Sequence, residues 1–214
     1  MPRVGKYDKE LDWLVPEPLN LKRWMNHPKG KIIRKYSGLL RGDVADLGCN
    51  NGIAMNMLSK LDNVKTVTGF DICQKAMDEG MALASKYDGG RPEKLRFVYS
   101  NLLDIDAEDN SFDAAICFHT IEHIYPEDVG RVILEAWRIL RPGGVFIFSM
   151  PFQDAFRSEE RHVSFYTIEP KPGYICFPEL LESNGFDVSE IYEDATIDAG
   201  PQLCITGVAC IRQD

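Results

Sequence analysis

Two carboxylates bracket a glycine-bearing turn. The stretch "VADLGCNNG", Val44 to Gly52, runs from apolar residues into Asp46 and then Gly48 and Gly52. Farther on, "VTGFDI" ends in Asp71, 19 residues after Gly52. An acid at the end of a second strand, about 20 residues past a glycine turn, can accept hydrogen bonds from ribose hydroxyls. Such an acid serves more than one nucleoside cofactor. Two features choose among them. The spacing is Gly-x-x-x-Gly, so the G-x-G-x-x-G loop that cradles a pyrophosphate is absent. Asp46, just before the turn, would repel a pyrophosphate but suits a cofactor with an ammonium and a sulfonium. Gly48 leaves no side chain to obstruct a ligand over the turn, and Gly52 lets the following helix pack close. Asn50 stands where a middle glycine would be usual, and asparagine tolerates left-handed backbone better than most residues.

Histidines are the other candidates for chemistry. The chain has four: His27, His119, His123 and His162. His119 and His123 are four residues apart in "FHTIEH", so a helix that starts early carries both on one face. That spacing could hold a metal, but "HTIEH" lacks the HExxH order and no metal is expected. His123 reads equally as a base or as a helix-start residue that packs. His162 lies in "PFQDAFRSEERHVSFYTIEPKPGYICFP", which is polar, aromatic and proline-punctuated. A long irregular segment inside a compact domain is commonly functional. His162 therefore reads as a base on a lid or as the residue that ties the lid down.

These residues must be positioned by a scaffold, and the pattern supplies one. "DVADLGC", "VKTVTGFDI", "KLRFVYS", "FDAAICF" and "GVFIFSM" are strand-like. "GIAMNMLSKL", "QKAMDEGMALASKY" and "PEDVGRVILEAWRIL" carry helical spacing between them. In the last, Val129, Ile133, Ala136, Trp137 and Leu140 fall on one helical face. "LRPGG" is expected to stop that helix. Alternating strands and helices imply a parallel sheet covered on both sides. After the irregular stretch come a helix "ELLESNGF" and two strands, "DVSEIYE" and "QLCITGVACIR". Joined without an obvious helix, they imply one antiparallel strand in an otherwise parallel sheet.

Composition sets the class. At 214 residues, 44% hydrophobic and 27% charged, the chain reads as one soluble globular domain. No run approaches the roughly 18 apolar residues of a membrane span, and the N-terminus lacks a signal peptide's apolar core. A cytoplasmic location is expected. None of the six cysteines forms a CxxC pair, so buried reduced thiols are expected. A net charge of -9 argues against a generic nucleic-acid binder. Yet Asn20 to Gly42 holds seven basic residues and no acid. It reads as a solvated helix face or as a lip for an anionic substrate.

Taken in order, these motifs resemble the class I S-adenosylmethionine-dependent methyltransferases of small-molecule type (methyltransferase domain 11, UbiE-like). "DLGCNNG" is similar to the family's first motif, departing at Asn50, and "GFDIC" to its second-strand acid. "NSFDAAICFHTIEHI" resembles its fourth-strand segment, "RILRPGGVFIFSMP" its turn into strand five, and "RHVSFYT…ELLESNGFDV" a late segment. The resemblance implies a Rossmann-like α/β fold: a doubly wound, mostly parallel seven-stranded sheet with one antiparallel strand and helices on both faces. Residues 1–41 would form a helical cap and 42–214 the core, with 151–178 as lid. S-adenosylmethionine would be the cofactor and S-adenosylhomocysteine the product. Asp46, Gly48, Cys49, Asn50 and Gly52 would line the methionine part. Asp71 would hold the ribose, and Ile72 would pack on the adenine. Asn101, backed by Leu102, would meet the ring edge, with Asp104 as the alternative acid. Phe118 and His119 would lie beside the reactive methyl. The Asn/Asp-Pro-Pro-aromatic sequence of amide and nucleobase methylators is absent after strand four. The acceptor is therefore expected to be an oxygen or amine of a small molecule. RNA or protein engaged by the basic segment, and a non-catalytic binding module, are the alternatives.

Overall fold

The computed structural model describes residues 28–86, 90–151, 166–194 and 204–211. Helix α1 (Pro28–Lys35) leads into β1 (Gly42–Leu47), α2 (Ile53–Ser59), β2 (Val64–Asp71), α3 (Gln74–Ala84) and β3 (Leu95–Tyr99). Then come β4 (Phe112–Phe118), α4 (Val129–Ile139), β5 (Leu140–Pro151) and a short pair, β6 (Tyr166–Thr167) with β7 (Ile175–Cys176). Helix α5 (Phe177–Ser183), β8 (Phe186–Asp194) and β9 (Cys204–Ile211) complete the described chain. The main sheet has seven strands in the order β3-β2-β1-β4-β5-β9-β8. Every pairing from β3 to β5 is parallel, and β9 runs antiparallel to both β5 and β8. The expected single antiparallel strand is thus β9. Strand order reverses at β1, which pairs with β2 on one side and β4 on the other. In open α/β sheets that reversal, at the carboxyl ends of the strands, is where ligands bind.

Strands buried on both faces alternate between two cores. Ala45, Leu47, Ala115, Cys117, Phe146 and Phe148 face the side covered by α4 and α5. Val44, Ala114, Ile116, Phe118 and Ile147 face the side covered by α1, α2 and α3. Helix α1 packs through Ile32 and Ile33, continued by Tyr36. Its outer edge is fastened to β8. Lys35 Nζ lies 2.7 Å from Glu190 Oε1 and 3.9 Å from the centre of the Tyr192 ring. Tyr36 Oη donates to Glu190 Oε2 at 2.9 Å. Part of the basic segment therefore ties the helix to the sheet instead of lying free in solvent.

Helix α4 differs in detail from the expectation. Its buried face is Val129, Val132, Ile133, Ala136 and Ile139. Trp137 is 43% exposed, and its ring lies against Gly185, where an added Cβ would be 2.8 Å from Nε1. Leu140 is buried but already extended, as the first residue of β5. The "RPGG" segment does not sit between helix and strand. It is absorbed as an irregularity within β5, where pairing jumps from Phe112↔Leu140 to Ala114↔Val145. The helix ends one residue early because Pro142 follows so closely, and residues just before a proline disfavour the helical region. Cys49, Cys117 and Cys176 are buried free thiols, as expected, whereas Cys73 and Cys210 are only partly buried. Among the described residues no helix is long and apolar enough to cross a membrane.

Ile133→Ala should cost about 2–5 kcal/mol of folding stability, the usual penalty for a buried aliphatic truncation. Trp137→Ala should cost clearly less. Denaturant unfolding of both variants checks the ordering, and the reverse order would contradict the observed helix face.

Candidate cofactor and acceptor site

The turn after β1 is built on its neighbours. Gly48 N and Cys49 N both donate to Phe70 O, at 2.9 and 3.2 Å. Gly48, Asn50 and Gly52 all have left-handed backbone, with φ of 80°, 49° and 73°. Asn50 thus takes the expected bend, and its Oδ1 accepts the Asn51 amide at 2.7 Å. That local bond is what makes asparagine tolerable there. The far rim rests on Asp71. One carboxylate oxygen accepts Asn50 N at 2.8 Å and the other accepts Cys73 N at 2.8 Å. Sequence reasoning gave Asp71 only a ligand role, yet it also fixes the turn. Its second-strand position could not reveal this, because the partners are backbone amides.

The glycines do other work than expected. The space above Gly48 is not left open for a ligand, because a Cβ there would collide with the Thr120 side chain. Gly48 instead lets the exit of β4 close over the exit of β1. At Gly52 a Cβ would lie 2.6 Å from the Phe97 ring of β3 and 3.3 Å from Met55 of α2. Close packing there involves a strand as well as the helix. Gly80 of α3 was not singled out, yet its missing side chain lets α3 press on the Asn51 backbone.

Asp46 is the unusual group. It is 3% exposed, and its Oδ2 has no hydrogen-bond partner among the described residues. Burial pushes its pKa up to about 7, against the pull of the Lys29 cation and with the push of Asp71. Burial also raises Asp71, with the amides of Cys73, Asn50 and Ile72 opposing. The buried Cys49 thiol is driven well up by burial and by both acids, which keeps it protonated. An incompletely satisfied buried carboxylate is costly to ionise alone. A bound cation removes that cost. Lys29 was grouped with the basic lip in the sequence, and the fold brings it within electrostatic reach of Asp46.

After β3, Asn101 Oδ1 accepts the Leu103 amide at 2.9 Å. Leu102 is buried behind it, in the core under α4, and Asp104 is exposed. Ile72, at the start of the loop into α3, is partly exposed. At the end of β4, Phe118 is buried and His119 follows with a left-handed φ of 56°. His119 N donates to Ser149 O at 2.8 Å. The helical turn comes only after that, over Ile121–His123. His119 and His123 therefore do not share a helical face, because the backbone reverses hand between them. His119 Nδ1 instead lies 3.4 Å from Glu122 Oε1, a carboxylate that is 3% exposed. Glu122 is the acid of "HTIEH", the stretch that lacks the HExxH order. Its three-residue spacing from His119 was the signal for this pairing. Among the described residues, no three histidine, cysteine or acidic side chains are grouped to hold a metal. His27 and His162 lie outside the described residues, as do 1–27 of the expected cap and 152–165 of the expected lid.

Comparison with known proteins bears on this arrangement. The family described as "Methyltransferase domain" matches residues 45–148. A probable S-adenosylmethionine-dependent methyltransferase of Mycolicibacterium smegmatis is 30% identical over 151 residues, covering 69% of this chain and 53% of that protein. A 2-phytyl-1,4-naphtoquinone methyltransferase of Nostoc is 26% identical over 158 residues, covering 69% of this chain and 67% of its own length. The chain thus spans about half to two thirds of these relatives. Among solved structures, a SAM-dependent methyltransferase from Aquifex aeolicus superposes with a TM-score of 0.65 at 18% identity, covering 89% of this chain and 93% of that one. The fold, the bracketed turn and these matches agree: the chain belongs to the class I S-adenosylmethionine-dependent methyltransferases.

Proposed function

We propose that the protein transfers a methyl group from S-adenosylmethionine to an oxygen or amine of a small-molecule acceptor. The observation that carries this reading is Asp46, a buried carboxylate with an unpartnered oxygen beside a turn that Asp71 holds open. The cofactor's ammonium supplies the charge that Asp46 lacks. Gly48, Cys49, Asn50 and Gly52 line the methionine part through their backbone. Beside the amides it accepts, the Asp71 carboxylate keeps acceptor capacity for the ribose hydroxyls. Ile72 packs on the adenine. Asn101, its Oδ1 already engaged, offers its NH₂ to a ring nitrogen, and Leu102 backs it. Phe118 and His119 face the methyl. His119, His123 and His162 remain the candidate bases.

Methyl transfer is an in-line displacement. The sulfonium already makes the methyl electrophilic, so the protein's part is to align the acceptor and remove its proton. Alignment in a closed site can contribute about 7–11 kcal/mol of barrier reduction. The naphthoquinone-directed relative supports a small acceptor. An RNA or protein substrate has less support, since Lys35 is engaged by Glu190 and Tyr192 and Lys29 lies near Asp46. The five free cysteines of the described residues fit a reducing compartment, and a cytoplasmic location is proposed.

S-adenosylhomocysteine, which keeps the ammonium, should bind measurably in calorimetry. No binding of it or of S-adenosylmethionine at millimolar concentration would end this reading. Asp46, with a pKa of about 7, is protonated in the free protein at pH 6 and ionised beside the ammonium. Binding at pH 6 should therefore release a proton, seen as a dependence of heat on buffer ionisation enthalpy. Asp46→Asn should abolish that release. The sign for folding is the opposite of a paired acid's. A raised pKa makes the native state bind more protons between about pH 4 and 7, so stability falls as pH rises through that window. Asp46→Asn should flatten that slope. Asp71→Ala should weaken S-adenosylhomocysteine binding at least tenfold and also lower stability by about 1–3 kcal/mol, because two turn amides lose their acceptor. Unchanged affinity would remove Asp71 from the site.

A further inference from the structure

Glu122 has no part in the cofactor reading, yet it is the most deeply buried charge at the end of β4. Its side chain is 3% exposed, whereas that of His119, three residues earlier, is 20% exposed. The carboxylate is thus the more deeply buried member of the pair. Around it stand His119 and His123 from its own turn, Cys117 from β4 and Tyr166 from β6. Burial opposes the ionised form of Glu122, but the His119 ring, the His123 charge and its own backbone amide outweigh burial and hold it below the usual carboxylate range. The Cys117 thiol and the Tyr166 hydroxyl are both pushed up by burial and by the Glu122 charge, so both stay protonated. The Lys29 charge pulls the Cys117 pKa the other way.

The His119 backbone is held in place as well. Its φ of 56° is left-handed backbone, uncommon outside glycine although histidine adopts it more readily than most side chains. The bond from its amide to Ser149 O, and the packing of Thr120 on Gly48, enforce it. With the backbone locked, ring orientation is set by what Nδ1 meets. Nδ1 meets Glu122 at 3.4 Å, longer than an ideal hydrogen bond. Such pairs in ligand-free sites tighten when the site fills.

We propose that Glu122 is the positioning residue of His119. It keeps the proton on Nδ1 and leaves Nε2 as the ring's only proton acceptor, for an acceptor hydroxyl. This rests on the methyltransferase reading. In the step so arranged, the acceptor oxygen forms a bond to the methyl carbon while the carbon–sulfur bond breaks, its electron pair neutralising the sulfonium to a thioether. The acceptor's proton moves to His119 Nε2. The resulting imidazolium shares Nδ1–H with the Glu122 carboxylate, which lowers the cost of the positive ring in a buried setting. Glu122 touches neither cofactor nor acceptor and acts through the ring alone. Tyr166, whose buried hydroxyl has no hydrogen-bond partner among the described residues, feels the Glu122 charge and stays protonated.

The test is nitrogen NMR of the histidine rings in the full chain with S-adenosylhomocysteine bound, at a pH where the rings are neutral. His119 is assigned by loss of its signals in His119→Gln. The wild type should show His119 protonated on Nδ1. Glu122→Gln, whose amide oxygen can still accept, should keep that tautomer, and Glu122→Ala should release it to the Nε2–H form common for free imidazole. An Nε2–H tautomer in the wild type, or an unchanged Nδ1–H tautomer in Glu122→Ala, overturns the proposal. If Glu122→Ala fails to fold, the wild-type tautomer alone decides. Calorimetry on the same samples separates the two claims: a cofactor that binds with the wrong tautomer defeats the positioning role only, and a cofactor that does not bind defeats the methyltransferase reading.

Discussion

The grip of Asp71 on two backbone amides holds the site together. Its carboxylate, at the end of β2, accepts from Asn50 on the turn after β1 and from Cys73 at the start of α3. Three left-handed residues in alternation shape that turn, two of them glycines. Without an acceptor for Asn50 N, a buried donor would be stranded. One side chain therefore ties two adjacent strand ends and a helix entry, at the place where strand order reverses. The tight packing around it follows from this. Phe97 presses on Gly52, Asn51 on Gly80, and Thr120 on Gly48.

A second constraint is electrostatic. The fold gathers acids at the carboxyl ends of β1 and β2 and just beyond β4: Asp46 and the Glu122 side chain are buried, and Asp71 is partly buried. Each meets burial differently. Asp71 is offset by amides, Glu122 by histidine, and Asp46 by little besides the Lys29 field, which is why its pKa rises to about 7. The two acids with local partners also shape the protein, and the one without is left to meet the ligand's charge. That division gives a positively charged cofactor a place in a chain whose net charge is -9.

Much of this was legible in the sequence. Strand–helix alternation gave the parallel sheet, and the missing helix between the last strands gave the antiparallel one. Asn50 was readable as a left-handed residue because few side chains tolerate that geometry. What escaped reading was contact between distant backbones. Nothing in the residue types says that Asp71 accepts from Asn50 N, or that Thr120 fills the space over Gly48. Trp137 was misread because helical spacing marks a face without fixing its edges, and a tryptophan at the edge can cover a glycine instead of entering the core. A shared face for His119 and His123 required the helix to start early. The left-handed residue at His119 breaks that assumption and turns its ring to Glu122.

The most direct test of the whole account is a crystal structure with S-adenosylhomocysteine bound. The ligand's ammonium should lie within hydrogen-bond distance of Asp46 and its ribose hydroxyls on Asp71, with the Asn50 and Cys73 amides still on the same carboxylate. A ligand whose ammonium lies away from Asp46, or a turn that releases Asp71 on binding, would contradict it.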